Sequence, residues 1–212
     1  HRSPSDYLED LVCLIKVAKH DPGQPYLDDS ASNVEKIRKM SNMALALSQD
    51  VLRNMENFRL VIQPVVSADT GRMVGGEALL RWNFGGESVP PDLFIPILER
   101  DNLIQKAGRW VFEQAVCSCM RLVACIPDFY LTFNVSLQQL SDTGLTDFMR
   151  ATLKKYHLDG THLMAEMTES CMDEQPEKLL HFVDACREMG IQIALDDFGS
   201  GYSSLRMLLQ YP

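Results

Sequence analysis

The chain has 212 residues with a formal net charge of −9, from 29 acidic against 20 basic side chains, and 46% of it is hydrophobic. That is enough for one sizeable core, or one domain with an appendage, while the charge repels long polyanions, so no DNA or RNA polymer is expected as a partner. No run of about 18 apolar residues is available to span a bilayer and no signal peptide is evident, so no membrane contact is expected from this segment.

The first residue is His1 rather than Met, which sets the expectation of a chain preceded by other sequence. Residues 6–19 carry a short helical pattern, and HDPGQPYLDDSAS (20–32) is rich in turn formers. Residues 1–32 therefore read as a linker or the remnant of an upstream module. Residues 33–56 place Val34, Ile37, Met40, Met43, Ala44, Leu47 and Val51 at spacings of three and four, an amphipathic helix leading into the first strand candidate.

From residue 58 the period changes. FRLVIQPVV and GRMVGGEALLRW are two strand candidates separated by the turn-like SADTG of 67–71. A Gly- and Pro-rich loop is expected over 83–92, then a helix from about Leu103 to Val123. FYLTFNVS is the third strand. A helix comes after SDTG with Leu145, Phe148, Met149 and Leu153 on one side and Gly160 beyond its end. HLMAEMTES is the fourth strand; Pro176 opens the next helix, and Gly190 caps it before the fifth strand, IQIALDD.

Asn134 and Glu166, each at the end of a strand candidate, lie 32 residues apart, and Glu166 and Asp196 lie 30 apart. That is the length of a βαβ unit, and successive units of this kind place parallel strands side by side with their C-terminal ends on one rim. Asn134, Glu166 and Asp196 should converge there, with Asp197 adjacent. A lone acid at a strand end is ordinarily a helix cap or a solvated turn residue. A set of them at this spacing repels itself unless a cation sits among them, and oxygen donors without His or Cys select Mg²⁺ or Mn²⁺ over zinc. Adjacent carboxylates could serve two ions, as in metal-assisted phosphodiester cleavage.

The six cysteines, Cys13, Cys117, Cys119, Cys125, Cys171 and Cys186, form no paired zinc-type arrangement. The Cys117/Cys119 pair in a helical pattern reads as two buried or half-buried thiols, and free thiols point to a reducing, cytoplasmic compartment.

Six ordered blocks, IQP (62–64), EALLRW (77–82), FIPILE (94–99), FNVSLQQL (133–140), AEMTES (165–170) and DDFGSGYSSL (196–205), resemble the EAL domain family, bacterial phosphodiesterases of cyclic di-GMP. The resemblance implies an α/β fold, a TIM-type (β/α) barrel, with residues 33–212 as the N-terminal portion of the domain. It implies that Glu77, Asn134, Glu166 and Asp196 hold a first Mg²⁺ or Mn²⁺ ion and that Asp196 and Asp197 reach a second. By the same resemblance Glu77, Asp196 and Asp197 would be the catalytic set, Gln63 and Arg81 would contact the dinucleotide, and Glu169, Gly199 and Gly201 would support the loop after the aspartates. Similar loops link substrate binding to dimerisation, so a homodimer is a further expectation.

Leu98 stands where the family usually has a small residue and Ser200 where Thr is common; neither is an implied ligand. The family continues beyond DDFGSGYSSL with a KID-type Lys, an AEGVE-like Glu and a final Gln, none of which occurs in these 212 residues. The expectation is thus a barrel with about five of its eight strands, a parent protein that opens cyclic di-GMP to linear pGpG, and little or no turnover from this chain alone. The alternative is a receptor or scaffold of the same fold that binds cyclic di-GMP without hydrolysis. Residues 1–32 would then be a linker or the tail of a GGDEF-like neighbour, and any membrane attachment would come from upstream.

Overall fold

A computed structural model describes residues 31–168 and 176–196 of the chain. The chain divides into two compact units between Asn54 and Met55. Helix α1, Ala31–Arg53, belongs to the first and is the amphipathic helix expected from the spacing of its apolar residues.

The second unit is built on one mixed sheet. Strands β1 (Phe58–Val66) and β2 (Met73–Phe84) form an antiparallel pair, and β4 (Tyr130–Asn134), β5 (Leu163–Thr168) and β6 (Gln192–Asp196) come after β2 in parallel, in the order β1-β2-β4-β5-β6. The short β3 (Glu87–Val89) pairs with β2. Helices α3 (Ile104–Val123), α4 (Leu145–Tyr156) and α5 (Pro176–Glu188) lie between successive parallel strands in the chain. This is the βα succession of an incomplete TIM-type (β/α) barrel, as expected.

The turn between β1 and β2 closes through Gly71, at φ +66, whose N–H donates to Ser67 O at 2.8 Å. Only a residue without Cβ takes that conformation freely. The expected loop at 83–92 is a correction. Gly85 and Gly86 both have positive φ, +62 and +86, and join Phe84 to Glu87 in a two-residue hairpin, so β2 runs past Trp82 and gains a partner. A helix then begins where none was expected: α2, Pro91–Arg100, with a proline in its first turn and Pro96 inside it. Its Phe94, Ile97 and Leu98 are buried. Phe94 meets Phe58 and Trp82 edge-on, at 6.1 and 5.9 Å, which fixes the helix against the start of β1.

Along α3 the buried side runs Ile104, Ala107, Gly108, Val111, Phe112, Ala115, Val116, Cys119, the spacing of a helix covering a sheet. Leu145, Met149 and Leu153 of α4 and Leu179 and Cys186 of α5 are buried likewise, while Leu180 is exposed. Between the helices and the sheet lies the core, which includes Phe112, Leu131, Phe133, Leu163, Ala165 and Met167.

Two helix ends differ in how they stop. Gly190, at φ +80, caps α5 as expected, with Ile191 N–H donating to Cys186 O at 2.9 Å. At α4 the left-handed residue is His157, φ 53, and not Gly160. Gly160 has another reason to be glycine: a Cβ there would overlap the backbone carbonyl of Met189.

Candidate functional site

Successive residues of a strand point to opposite faces of the sheet, and residues paired in register share a face. In β2 the alternation puts Glu77 and Arg81 on one face and Ala78 and Trp82 on the other. Gln63 is paired with Glu77, Glu77 with Thr132, Asn134 with Glu166, and Glu166 with Ala194. Gln63, Glu77, Arg81, Thr132, Asn134, Glu166 and Asp196 therefore all belong to the face away from the apolar core.

The vertical positions are staggered. Asn134 stands two residues beyond the partner of Glu77 and level with Glu166, and Asp196 stands two beyond the partner of Glu166. Such a stagger is what tilted strands of a closing barrel produce. Across it, Asn134 Nδ2 donates to Glu77 Oε1 at 3.1 Å. The hydrogen bond joins two residues 57 apart in the chain, one expected at the rim from strand spacing and the other implied as a ligand by the family resemblance.

Glu166 is half-buried, and burial pushes its carboxyl above the usual range, with the carboxylates of Glu77 and Asp196 adding to the rise. The Thr132 hydroxyl works the other way. It is 5% exposed and lies close enough to stabilise the Glu166 carboxylate in part, yet it does not reach hydrogen-bond geometry. Among the described residues no ion pair involves Glu77 or Glu166. Arg81, the cation on this face that had been expected to meet substrate, is half-buried and donates from Nη1 to the Leu80 carbonyl at 3.1 Å. Gln63 is exposed.

The donor set tests well for a hard divalent cation: oxygen only, like charges felt by Glu166, and no cationic side chain paired with the two glutamates. Its spacing is open, since no three His, Cys, Asp or Glu side chains among the described residues close into a group able to hold an ion. Asp197, Glu169, Gly199 and Gly201 lie outside the described residues.

Thr132 and the residues behind Asn134 were missed by the sequence reasoning. Two signals were available: Thr132 sits at i−2 from Asn134 in the same strand, and Ser136-x-x-Gln139 has the form of a capping box. A cleft of about 560 Å³ opens elsewhere, before the N-terminal ends of β5 and β6, lined by Arg150, Leu153, Lys154, His157, Asp159 and Met189. Two of its charged side chains already have hydrogen-bond partners: Arg150 donates to Glu188 at 3.0 Å and Asp159 accepts from Thr161 N–H at 2.9 Å. No helix among the described residues is long and apolar enough to cross a membrane.

The EAL domain model matches residues 44–212. The bifunctional diguanylate cyclase/cyclic di-GMP phosphodiesterase MucR of Pseudomonas aeruginosa is 37% identical over 173 residues, covering 79% of this chain and 25% of MucR. The cyclic di-GMP phosphodiesterase RocR of the same organism is 36% identical over 166 residues, covering 77% of this chain and 42% of RocR. The chain thus spans less than half the length of either relative. Among solved structures, the PaMucR phosphodiesterase in complex with c-di-GMP superposes with a TM-score of 0.65 at 36% identity, over 74% of this chain and 67% of that one. The FimX EAL domain of Pseudomonas aeruginosa bound to c-di-GMP gives 0.69 at 25% identity, over 78% and 66%.

Proposed function

The chain belongs to the EAL domain family, and from that premise we propose that it forms part of a metal-dependent phosphodiesterase that opens cyclic di-GMP to linear pGpG. The observation that carries the reading is the acidic face, with Asn134 bonded to Glu77 and level with Glu166. Relatives named as cyclic di-GMP phosphodiesterases, and a related phosphodiesterase solved with c-di-GMP, support the substrate.

In this reading Glu77, Asn134, Glu166 and Asp196, with Asp197, hold Mg²⁺ or Mn²⁺. The ions would supply Lewis-acid charge at the scissile phosphodiester. Gln63 and Arg81 orient the dinucleotide, and Arg81 exchanges its bond to the Leu80 carbonyl for a phosphate oxygen, the fork geometry suiting that contact. Water adds to phosphorus, the bond to one 3′ oxygen breaks, and the proton from water ends on the departing oxygen. Glu169, Gly199 and Gly201 support the loop after Asp197, and that loop joins the site to a second copy of the chain. Residues 33–212 form the N-terminal portion of the EAL domain and residues 1–32 a linker or the tail of an upstream module; the compartment is the cytoplasm.

The KID-type Lys and AEGVE-like Glu of the family do not occur in these 212 residues, so little turnover is expected from them alone. The lack of those two side chains favours a second reading, a receptor that binds cyclic di-GMP without hydrolysis. Chromatography of cyclic di-GMP incubated with Mg²⁺ or Mn²⁺ and the chain, then its longer parent, separates the two. The parent should yield pGpG and lose that activity with Glu77→Ala. Binding without product from either protein would leave the receptor, and turnover unchanged by Glu77→Ala would remove the metal assignment.

A further inference from the structure

Asn134 leads into a turn that is held with unusual thoroughness. Val135 N–H donates to Glu166 O at 2.8 Å, continuing the β4–β5 ladder past the site. Ser136 N–H cannot do the same. It donates instead to Gln139 Oε1 at 2.8 Å, while Gln139 N–H donates to Ser136 O at 3.0 Å. Gln139 is buried, only 6% exposed.

A glutamine is an expensive side chain to bury, since its amide must find partners to replace water. The helix behind it has been cut to receive it. At Gly108, on the buried side of α3, a Cβ would overlap Gln139 Nε2 and stand 2.7 Å from Cδ. The next residue, Arg109, clamps Asp142 at the far end of the same turn with two bonds of 2.7 Å. Lys178 Nζ donates to Ser141 Oγ at 3.0 Å, so α5 is tied to the turn as well. If filling space were the only need, an apolar side chain over an alanine would meet it without a buried amide. The acceptor of Gln139 does something such a pair could not: it satisfies the N–H two residues beyond Asn134.

We propose that Gln139, seated in the notch that Gly108 leaves in α3, is a positioning residue that fixes the end of β4 and thereby sets Asn134 against Glu77 and Glu166. The inference rests on the reading of Asn134 as a ligand only for its consequence; the positioning itself is independent of any metal. Outer partners that orient metal ligands are worth about 10- to 100-fold in metal affinity, and Gln139 is predicted to fall in that range through Asn134.

The test uses the 212-residue chain with Gln139→Met, which keeps volume and loses the acceptor, and Gly108→Ala, which drives Gln139 out. The double variant Gly108→Ala/Gln139→Ala removes the overlap without restoring the bond. Metal-free ¹⁵N spectra track the Asn134 side-chain amide and the exchange rates of Val135 and Ser136. Loss of the free Mn²⁺ resonance then measures ion uptake. In Gln139→Met the Ser136 amide should exchange at least ~10-fold faster, the Asn134 side-chain signal should move, and Mn²⁺ affinity should fall by ~10-fold or more. The double variant should regain melting temperature relative to Gly108→Ala and still bind Mn²⁺ weakly. An unmoved Asn134 signal in Gln139→Met, or a double variant that recovers the full Mn²⁺ affinity, overturns the proposal. If the unmodified chain takes up no Mn²⁺, the metal reading fails, and the Asn134 and Ser136 signals still decide the positioning role.

Discussion

The pair Arg109–Asp142 is the point at which the turn behind Asn134 can be loosened by a measurable amount. Both bonds are 2.7 Å, and the side chains are 37% and 13% exposed. Hydrogen bonds to charged groups contribute about 1.5–3 kcal/mol, and solvent-exposed ion pairs about 0.2–1 kcal/mol. With one partner more than a third exposed, the coupling should be about 1–1.5 kcal/mol, the lower end of the buried range after solvent screening. A double-mutant cycle with Arg109→Met and Asp142→Asn measures it, because the stacking of Arg109 over Phe148, 5.3 Å from the ring centre, is lost in both Arg109→Met proteins and cancels. The hydrogen bond from Arg109 holds the Asp142 carboxyl below the usual range, with help from the Gly144 N–H and the arginine charge and against its burial. A depressed carboxyl contributes stability above its unfolded pKa and loses it as the pH falls through the folded one. Urea unfolding at neutral pH should therefore show the coupling, and unfolding below the carboxylate range should not. A coupling under about 0.3 kcal/mol at neutral pH, or one that survives acid unchanged, would refute the reasoning.

Three further outcomes are expected from the same structure. Gly160→Ala should cost about 2 kcal/mol or more of stability, read as a lower urea midpoint, because the overlapped atom is the Met189 carbonyl and backbone cannot yield as a side chain can; an unchanged midpoint would show that the loop shifts freely. Glu166→Gln should stabilise the metal-free protein at neutral pH: the folded chain holds the Glu166 proton to higher pH than the unfolded chain, so its stability falls as the pH rises past the carboxylate range, and the amide abolishes that slope in pH-dependent thermal melts. Among the cysteines of the described residues, alkylation mapped by mass spectrometry should mark exposed Cys125 first and leave Cys119 and Cys186 intact until unfolding, since burial pushes their thiols to about 11 and about 12; early labelling of Cys119 would contradict the burial.

The strands were legible in the sequence wherever alternation carried the signal. β1 spans the nine residues of FRLVIQPVV, and β4, β5 and β6 fall within their predicted stretches. What escaped was structure without a period. The Gly85-Gly86 hairpin looks like a loop until its partner strand is known, and the helix over Pro91–Arg100 holds an unfavourable internal Pro96 while the burial of Phe94 and Leu98 sustains it. His157 takes the left-handed cap that Gly160 had been expected to mark, and Gly160 is required instead by the approach of Met189. The notch at Gly108 has no signature along the chain at all, since its reason lies in a side chain 31 positions away.

The site shows the same division more sharply. Spacings of 32 and 30 residues are both one βαβ unit and say only that three strand ends share a rim. They do not say at what height. Register does: Asn134 pairs with Glu166, but Asp196 pairs with Thr168, two residues past Glu166. A shift of a single residue in either ladder would send an acid into the apolar core between Phe133 and Met167, where an unpaired carboxylate would lose its hydration. The height of the acidic residues is therefore fixed from behind, by the hydrophobic residues that alternate with them. The face that would meet a cation is set by the one that meets the helices.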